Sequence, residues 1–216
     1  MRIKSTCVFF ISLLLAWRGF AQDSTGATHQ LRLGVDVFQP VIHAGSDQKK
    51  GYEIAADYRF NKTIYLAAEG GFGRSDYNYP DLSYTTTNSF IRLGFDKSLL
   101  PVLRSKDWDM AFVGLRYGLA FIQRSDASFV YHDPLYGVSA GTIAGKNLMA
   151  HWLEVAGGMK VFLWKNIYAG WTVRGKFLVN QKSFRELAPD FIAGYGRGDK
   201  NTNFGFNFYV GYGLRW

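Results

Sequence analysis

Four histidines, His29, His43, His132 and His151, are the side chains of this 216-residue chain best suited to moving a proton near neutral pH. No two of them have the spacing of a metal-ligand pair, and the one cysteine, Cys7, has no second thiol for a disulfide or a thiolate site. Two histidines have neighbours suited to acyl transfer, in which a hydroxyl attacks a carbonyl while an imidazole takes its proton. His132-Asp133 stands near Ser125, Ser128 and Ser139, and His43 precedes Ser46 and Asp47. Such a pair works only within hydrogen-bond reach, and two equal candidates weaken each other. No cofactor is expected. Gly194-Tyr195-Gly196-Arg197-Gly198 has the glycines of a phosphate loop but no strand and helix around it, so it reads as a flexible loop tip. Asn61-Lys62-Thr63 matches a glycosylation sequon but is better explained as a hairpin turn. The net charge of +8 contains no basic block, so nucleic acid is not an expected partner.

Composition narrows the elements that hold these residues. Aromatics make up 17% of the chain and glycine contributes 24 residues. That pairing excludes a disordered chain, which lacks aromatics, and a coiled coil built from Ala, Glu, Lys and Leu. Charged residues, at 19%, are few for a soluble domain. The mean hydropathy of −0.09 is far below that of a helical membrane protein. Two classes remain: an aromatic-rich soluble β protein and a membrane β-barrel.

Residues 1–21 read as a secretory signal. Arg2 and Lys4 precede an uncharged run from Cys7 to Ala16, and Gly19-Phe20-Ala21 supplies small residues at a cleavage site before Gln22. The run is too short to span a bilayer as a helix. Removing it takes away Cys7, Arg2, Lys4 and Arg18 and lowers the charge to +5. Residues 22–27 then form a short segment ahead of a barrel domain over 28–216.

No later window is a helical span, because the most apolar stretch, Leu148 to Trp164, contains His151, Glu154 and Lys160. At period two it resolves into an apolar face and a mixed polar face. Phe204, Phe206, Phe208, Val210, Tyr212, Leu214 and Trp216 alternate without a break. The same pattern recurs near residues 31–37, 52–60, 64–73, 91–96, 111–121 and 167–180. Eight strands of roughly nine to thirteen residues suit a bilayer crossed by tilted strands. Connections alternate in length: Pro40–Lys50 is long, Asn61-Lys62 tight, 74–88 longer, 97–108 medium, 123–148 long and irregular, Trp164-Lys165-Asn166 tight and 180–202 long. Short turns on one rim and long loops on the other belong to an up-and-down barrel. The expected fold is all-β, an eight-stranded antiparallel up-and-down transmembrane β-barrel.

Volume decides which face points inward. Roughly 40 bulky apolar side chains would overfill the interior of an eight-stranded barrel, which argues against a soluble lipocalin-like arrangement. The other face interleaves glycine with Asp36, Glu53, Asp57, Glu69, Asp96 and Glu154, and with Arg32, Arg59, Arg92, Arg116, Lys160, Arg174, Lys176 and Arg215. Near balance suits a closed ion-pair network, since an unpaired buried charge is costly. A plugged core is the preferred reading over a conductive lining. The long loops carry Tyr77, Tyr79, Tyr84, Phe129, Tyr131, Tyr136, Phe184, Phe191 and Tyr195, either as a binding surface or as an aromatic belt.

With leader, strands and loop lengths together, the chain resembles the small outer-membrane barrels of the OmpA, OmpX and OmpW type, and most of all an uncharacterised domain-of-unknown-function family of such barrels. Tyr209 to Trp216 resembles the C-terminal strand signal read by the barrel-assembly machinery, carried here by Tyr212, Leu214 and Trp216. That signal usually ends in Phe. The resemblance implies outer-membrane lipids and the assembly machinery as partners, both mature termini in the periplasm, and a structural or surface-binding role through the long loops, with the surface ligand unknown. It also keeps open a small-solute channel of the OmpW type. Because some such barrels are lipid A acyltransferases or deacylases with a Ser and a His at the outer rim, His132, Asp133, Ser139 and His43 remain candidates for that chemistry.

Overall fold

The computed structural model describes residues 29–43, 48–100, 109–135, 137–184 and 186–215. The expected signal at 1–21, the expected segment 22–27, Pro101 with the stretch to 108, Tyr136 and Trp216 lie outside the described residues, as do the side chains of His43 and Arg215.

In chain order the elements are β1 (Gln30–Asp36), α1 (Phe38–His43), β2 (Lys49–Arg59), β3 (Ile64–Tyr79), β4 (Leu82–Ser98), β5 (Met110–Arg124), β6 (Ala127–Asp133), β7 (Gly137–Ile143), β8 (Lys146–Trp164), β9 (Ile167–Leu178) and β10 (Thr202–Arg215). Eight of the strands form a closed antiparallel barrel. Each pairs with its neighbour in the order β3-β2-β1-β10-β9-β8-β5-β4, and β3 pairs with β4 to complete the ring. The remaining two, β6 and β7, form a hairpin that joins the end of β4 through Leu82↔Phe129 and Ser83↔Ser128. Two expected loops are therefore sheet. Residues 74–88 are a continuous hairpin paired out to Tyr79↔Leu82, and 123–148 contains β6 and β7. Alternation was harder to see there because both faces of these segments are polar or aromatic outside a membrane.

The alternation sets the two faces. Leu33, Val35, Ile54, Leu66, Leu93, Leu115, Leu153, Val173 and Val210 point outward, while glycines and charged residues point inward. On β4 the outward residues change from Thr85, Thr87 and Ser89 to Ile91, Leu93 and Phe95, and on β3 from Arg74 to Phe72. This is the edge of an apolar belt. From Ala111 to Phe121 on β5, about ten rises of ~3.4 Å at a tilt of about 40° give roughly 25 Å, the height of an outer-membrane barrel's apolar band. No described helix is long and apolar enough to cross a membrane, which says nothing of crossing by strands.

The two rims differ. One holds tight turns. Asn61 Oδ1 accepts from the backbone N–H of Thr63 (3.0 Å) and Ile64 (2.8 Å), so this side chain is built into the turn. Lys165 and Asn166 have φ of 42° and 71°, the left-handed pair that a two-residue hairpin requires. The other rim carries α1, the β3–β4 tip, the β6–β7 hairpin and residues 179–201. There the wall is incomplete. β1 stops at Asp36, which pairs with Tyr209, and its last pair with β2 is Val35↔Ile54. Above that level β2 and β10 separate, and α1 packs between them, with Phe38 edge-on to Phe206 at 4.8 Å.

Candidate functional site: the ion-paired bore and its mouth

Strand register brings the inward charges together. Glu69 on β3 is the hub. It pairs with Arg92 on β4 (2.7 Å), Arg116 on β5 (3.0 Å) and Arg174 on β9 (2.8 Å). Arg174 also meets Glu154 (2.5 Å) and donates to Asn207 Oδ1 (2.7 Å) and the Tyr209 hydroxyl (2.9 Å). Glu53 accepts from Arg92 and from the Tyr209 hydroxyl. Toward the turn rim, Arg116 grips both Asp96 oxygens (2.7 and 3.0 Å). Lys160 pairs with Asp57 (2.5 Å), and Arg32 stands 3.7 Å from Asp57. Charged bidentate bonds of this kind offset the desolvation of buried ions only when every member is served. The result is a chain of contacts that crosses the bore at that layer.

Three members of the expected network stand outside these ion pairs. Asp36, at the end of β1, accepts from the backbone N–H of Phe38 (3.0 Å) and Phe208 (3.1 Å) and from the Asn207 amide (2.7 Å). It anchors α1 rather than pairing with a base. Arg59 reaches past the last carboxylate and donates to the carbonyls of Asn61 (3.3 Å) and Lys62 (3.4 Å). Lys176 is buried at 7% exposure and forms neither an ion pair nor a hydrogen bond among the described residues.

Above the charge layer the chain itself fills the mouth. The backbone of residues 187–194 is clamped by inward side chains of the strands. Asn88 donates to Phe191 O (3.1 Å) and accepts from Ala193 N–H (2.6 Å), Arg92 donates to Gly194 O (3.0 Å), and Arg124 donates to Leu187 O (3.1 Å). The Tyr84 hydroxyl donates to Ala188 O (3.2 Å) and accepts from Asp190 N–H (3.1 Å). Burial pushes the Tyr84 phenol up to about 12. Phe184, Ile192, Ala193 and Tyr195 complete an apolar cluster with Phe90, Ile122 and Trp152. The glycine-rich segment at 194–198 is therefore part of a packed plug, not a flexible tip. Gly194 has φ of 77°, and a Cβ there would come within 2.6 Å of the Phe90 ring, so only glycine fits the turn. Phe184, Phe191 and Tyr195 take a role that neither reading of the loop aromatics anticipated. Asn88 and Phe90, which continue the inward alternation of β4 beyond the belt, are side chains that meet this segment.

The candidate catalytic residues lie apart from this site. In the β6–β7 hairpin His132 faces Val138, while Ser139 faces Tyr131 and Asp133 faces Gly137. Successive residues of a strand point to opposite faces, so His132 and Ser139 project from opposite sides of the ribbon and cannot form a nucleophile–base pair. Asp133 caps the turn through Leu135 N–H (2.8 Å). His29 bonds the Tyr58 hydroxyl (2.7 Å) and His151 the Tyr117 hydroxyl (2.9 Å), each on the outer face. Among the described residues no three of His, Cys, Asp and Glu gather as a metal site.

Comparison with known proteins bears on the family. A family model described as "Domain of unknown function (DUF6048)" matches residues 3–214. No curated protein matches the chain. Among solved structures, the attachment invasion locus protein Ail of Yersinia pestis is similar at 8% identity and TM-score 0.45, over 88% of this chain and 100% of that one. Neisserial surface protein A is similar at 13% identity and TM-score 0.37, over 90% and 98%. The N-terminal β-barrel domain of Pseudomonas aeruginosa OprF is similar at 9% identity and TM-score 0.35, over 88% and 100%.

Proposed function

The chain belongs to the DUF6048 family, and we propose that it acts as a non-conducting, non-catalytic outer-membrane scaffold that presents its outer hairpins for binding. The observation that carries this reading is the seal. The bore is filled by the Glu69–Arg92–Arg116–Arg174 contacts and then by the 187–195 plug, whereas the hairpins above it stand exposed. Among the described residues β7 pairs with β6 alone, so its outer edge is open to strand addition. Tyr131, Leu135 and Val138 are 59, 87 and 66% exposed on that hairpin. A rigid barrel suits such a role because it holds a projecting ribbon at a fixed distance from the bilayer. The periplasmic placement of both termini and delivery by the barrel-assembly machinery through Tyr212, Leu214 and Trp216 belong to the same reading, as does solvation of the apolar belt by outer-membrane lipids. The test is single-channel recording of the refolded protein in planar bilayers. Silence is expected, and reproducible conductance steps would overturn the scaffold reading in favour of a small-solute channel.

A further inference from the structure

Among the described residues the buried charges do not balance: six carboxylates face eight bases. Arg59 and Arg124 are held by backbone carbonyls at the two ends of the bore. Lys176 is not. Its register neighbour on β8 is Glu154, but that carboxylate is taken by Arg174 and the Trp152 indole. The Lys176 side chain instead borders a cavity of about 100 Å³ lined also by Gln39, Glu53, Asn207 and Gly205. Gly205 permits this position, since a Cβ there would stand 2.7 Å from the Lys176 ammonium nitrogen. Glu53 and Asn207 are committed to Arg92, Tyr209, Arg174 and Asp36 and do not touch it; Glu154 and Glu53 attract the ammonium only through space, while Arg92 and Arg174 repel it.

The cavity sits where β1 has ended and β2 and β10 part around α1. Its outer rim is Tyr52, Phe72 and Phe204, all exposed on the belt side. Its lining thus brings a buried ammonium that holds no direct ion pair among the described residues together with aromatic rings of the apolar surface. We infer that this notch binds one single-chain anionic amphiphile, its carboxylate or phosphate terminus on Lys176 and its tail leaving between β2 and β10 into the belt. A buried ammonium without a direct partner is costly, and an anion entering from the side supplies one without disturbing the central network. The inference depends on the membrane placement of the belt and not on the outer hairpins.

The test uses the full chain refolded in a non-ionic detergent. Laurate is titrated by calorimetry, and retention is counted by native mass spectrometry. One laurate per barrel is expected, with affinity at least tenfold weaker in Lys176→Met and in Gly205→Val, the latter obstructing the ammonium without removing the charge. Heat-modifiable migration on gels reports that each variant is folded, and Lys176→Met should be no less heat-resistant than the parent because it removes an unpaired buried charge. Dodecyltrimethylammonium should not bind. Inorganic phosphate should not displace laurate at equal concentration, and if it does, the ligand is a soluble anion and the amphiphile assignment fails. Laurate binding that is absent, or unchanged in folded Lys176→Met, overturns the site altogether.

Discussion

The two halves of the bore solve one packing problem in different ways. On the turn side, strands close on all sides, and the space between them is filled by Arg116, Asp96, Lys160, Asp57 and Arg32 in mutual contact. On the loop side the wall is open between β2 and β10, and the space is filled by irregular chain whose carbonyls and amides are satisfied by Asn88, Arg124 and Tyr84. A complete hydrogen-bonded ring leaves only side chains to fill its centre, so charge must be balanced locally by register. An incomplete ring admits backbone, and polar side chains then serve the backbone instead of each other. Lys176 lies at the junction of the two regimes and belongs to neither.

The sharpest way to break this contrast is at the hub. Glu69→Ala leaves Arg92, Arg116 and Arg174 without their shared carboxylate, and removing one partner from a buried ionic cluster costs about 3–5 kcal/mol. Urea unfolding followed by heat-modifiable migration should show that loss. A variant as stable as the parent would mean that the network is not what holds the turn-side half together. Gly194→Val acts on the other half. It forces a branched side chain into a left-handed turn against Phe90, a strain on the order of 1–3 kcal/mol that falls on the plug. The barrel should stay folded and the bilayers silent, because the charge layer beneath still seals the bore. Conductance in Gly194→Val would move the seal from the ion pairs to the plug.

Legibility in the sequence followed the same divide. Strands over the belt were readable because lipid outside and ions inside impose opposite chemistries on alternate residues, as in Phe204 to Leu214 or Ile91 to Phe95. The inward charges could be named for the same reason, although period two alone did not say which carboxylate meets which base, and it put Asp36 and Arg59 into a network they do not join. Above the belt both faces of a strand meet water or plug, the contrast vanishes, and β6, β7 and the extensions of β3 and β4 looked like loops. The plug was invisible for a further reason. Its docking rests on backbone carbonyls received by Asn88 and Arg92, and carbonyls carry no residue identity. Likewise, a Ser and a His seven residues apart looked adjacent until hairpin register set them on opposite faces.

Tyr84 reports plug docking directly. Its phenol is raised to about 12 by burial, so its contribution to stability is full below the unfolded value of about 10 and is lost as pH rises through about 12. The difference in tyrosinate absorbance between the parent and Tyr84→Phe should show one late step near that pH. In Gly194→Val the step should move down toward 10, which separates an undocked plug from an unfolded barrel. Tyr84→Phe itself strips Ala188 O and Asp190 N–H of their partner, a loss of about 1–3 kcal/mol confined to the loop side.

The smallest effect belongs farthest from the belt. Asp76, near the β3–β4 tip, accepts from Arg74 and from the Thr85 hydroxyl (2.6 Å), and these bonds hold its carboxyl below the usual carboxylate range. A depressed value places its contribution above the unfolded pKa and removes it as pH falls through the folded one. Both groups are well exposed, so screening leaves the pair little weight. Acidification should therefore loosen amide protection at Asp76, Tyr77 and Thr85 while protection around Glu69 persists, and Asp76→Asn should flatten that local dependence. If the tip and the bore lost protection together in the parent and in Asp76→Asn alike, the two halves would be one cooperative unit, and their different modes of filling would carry no difference in stability.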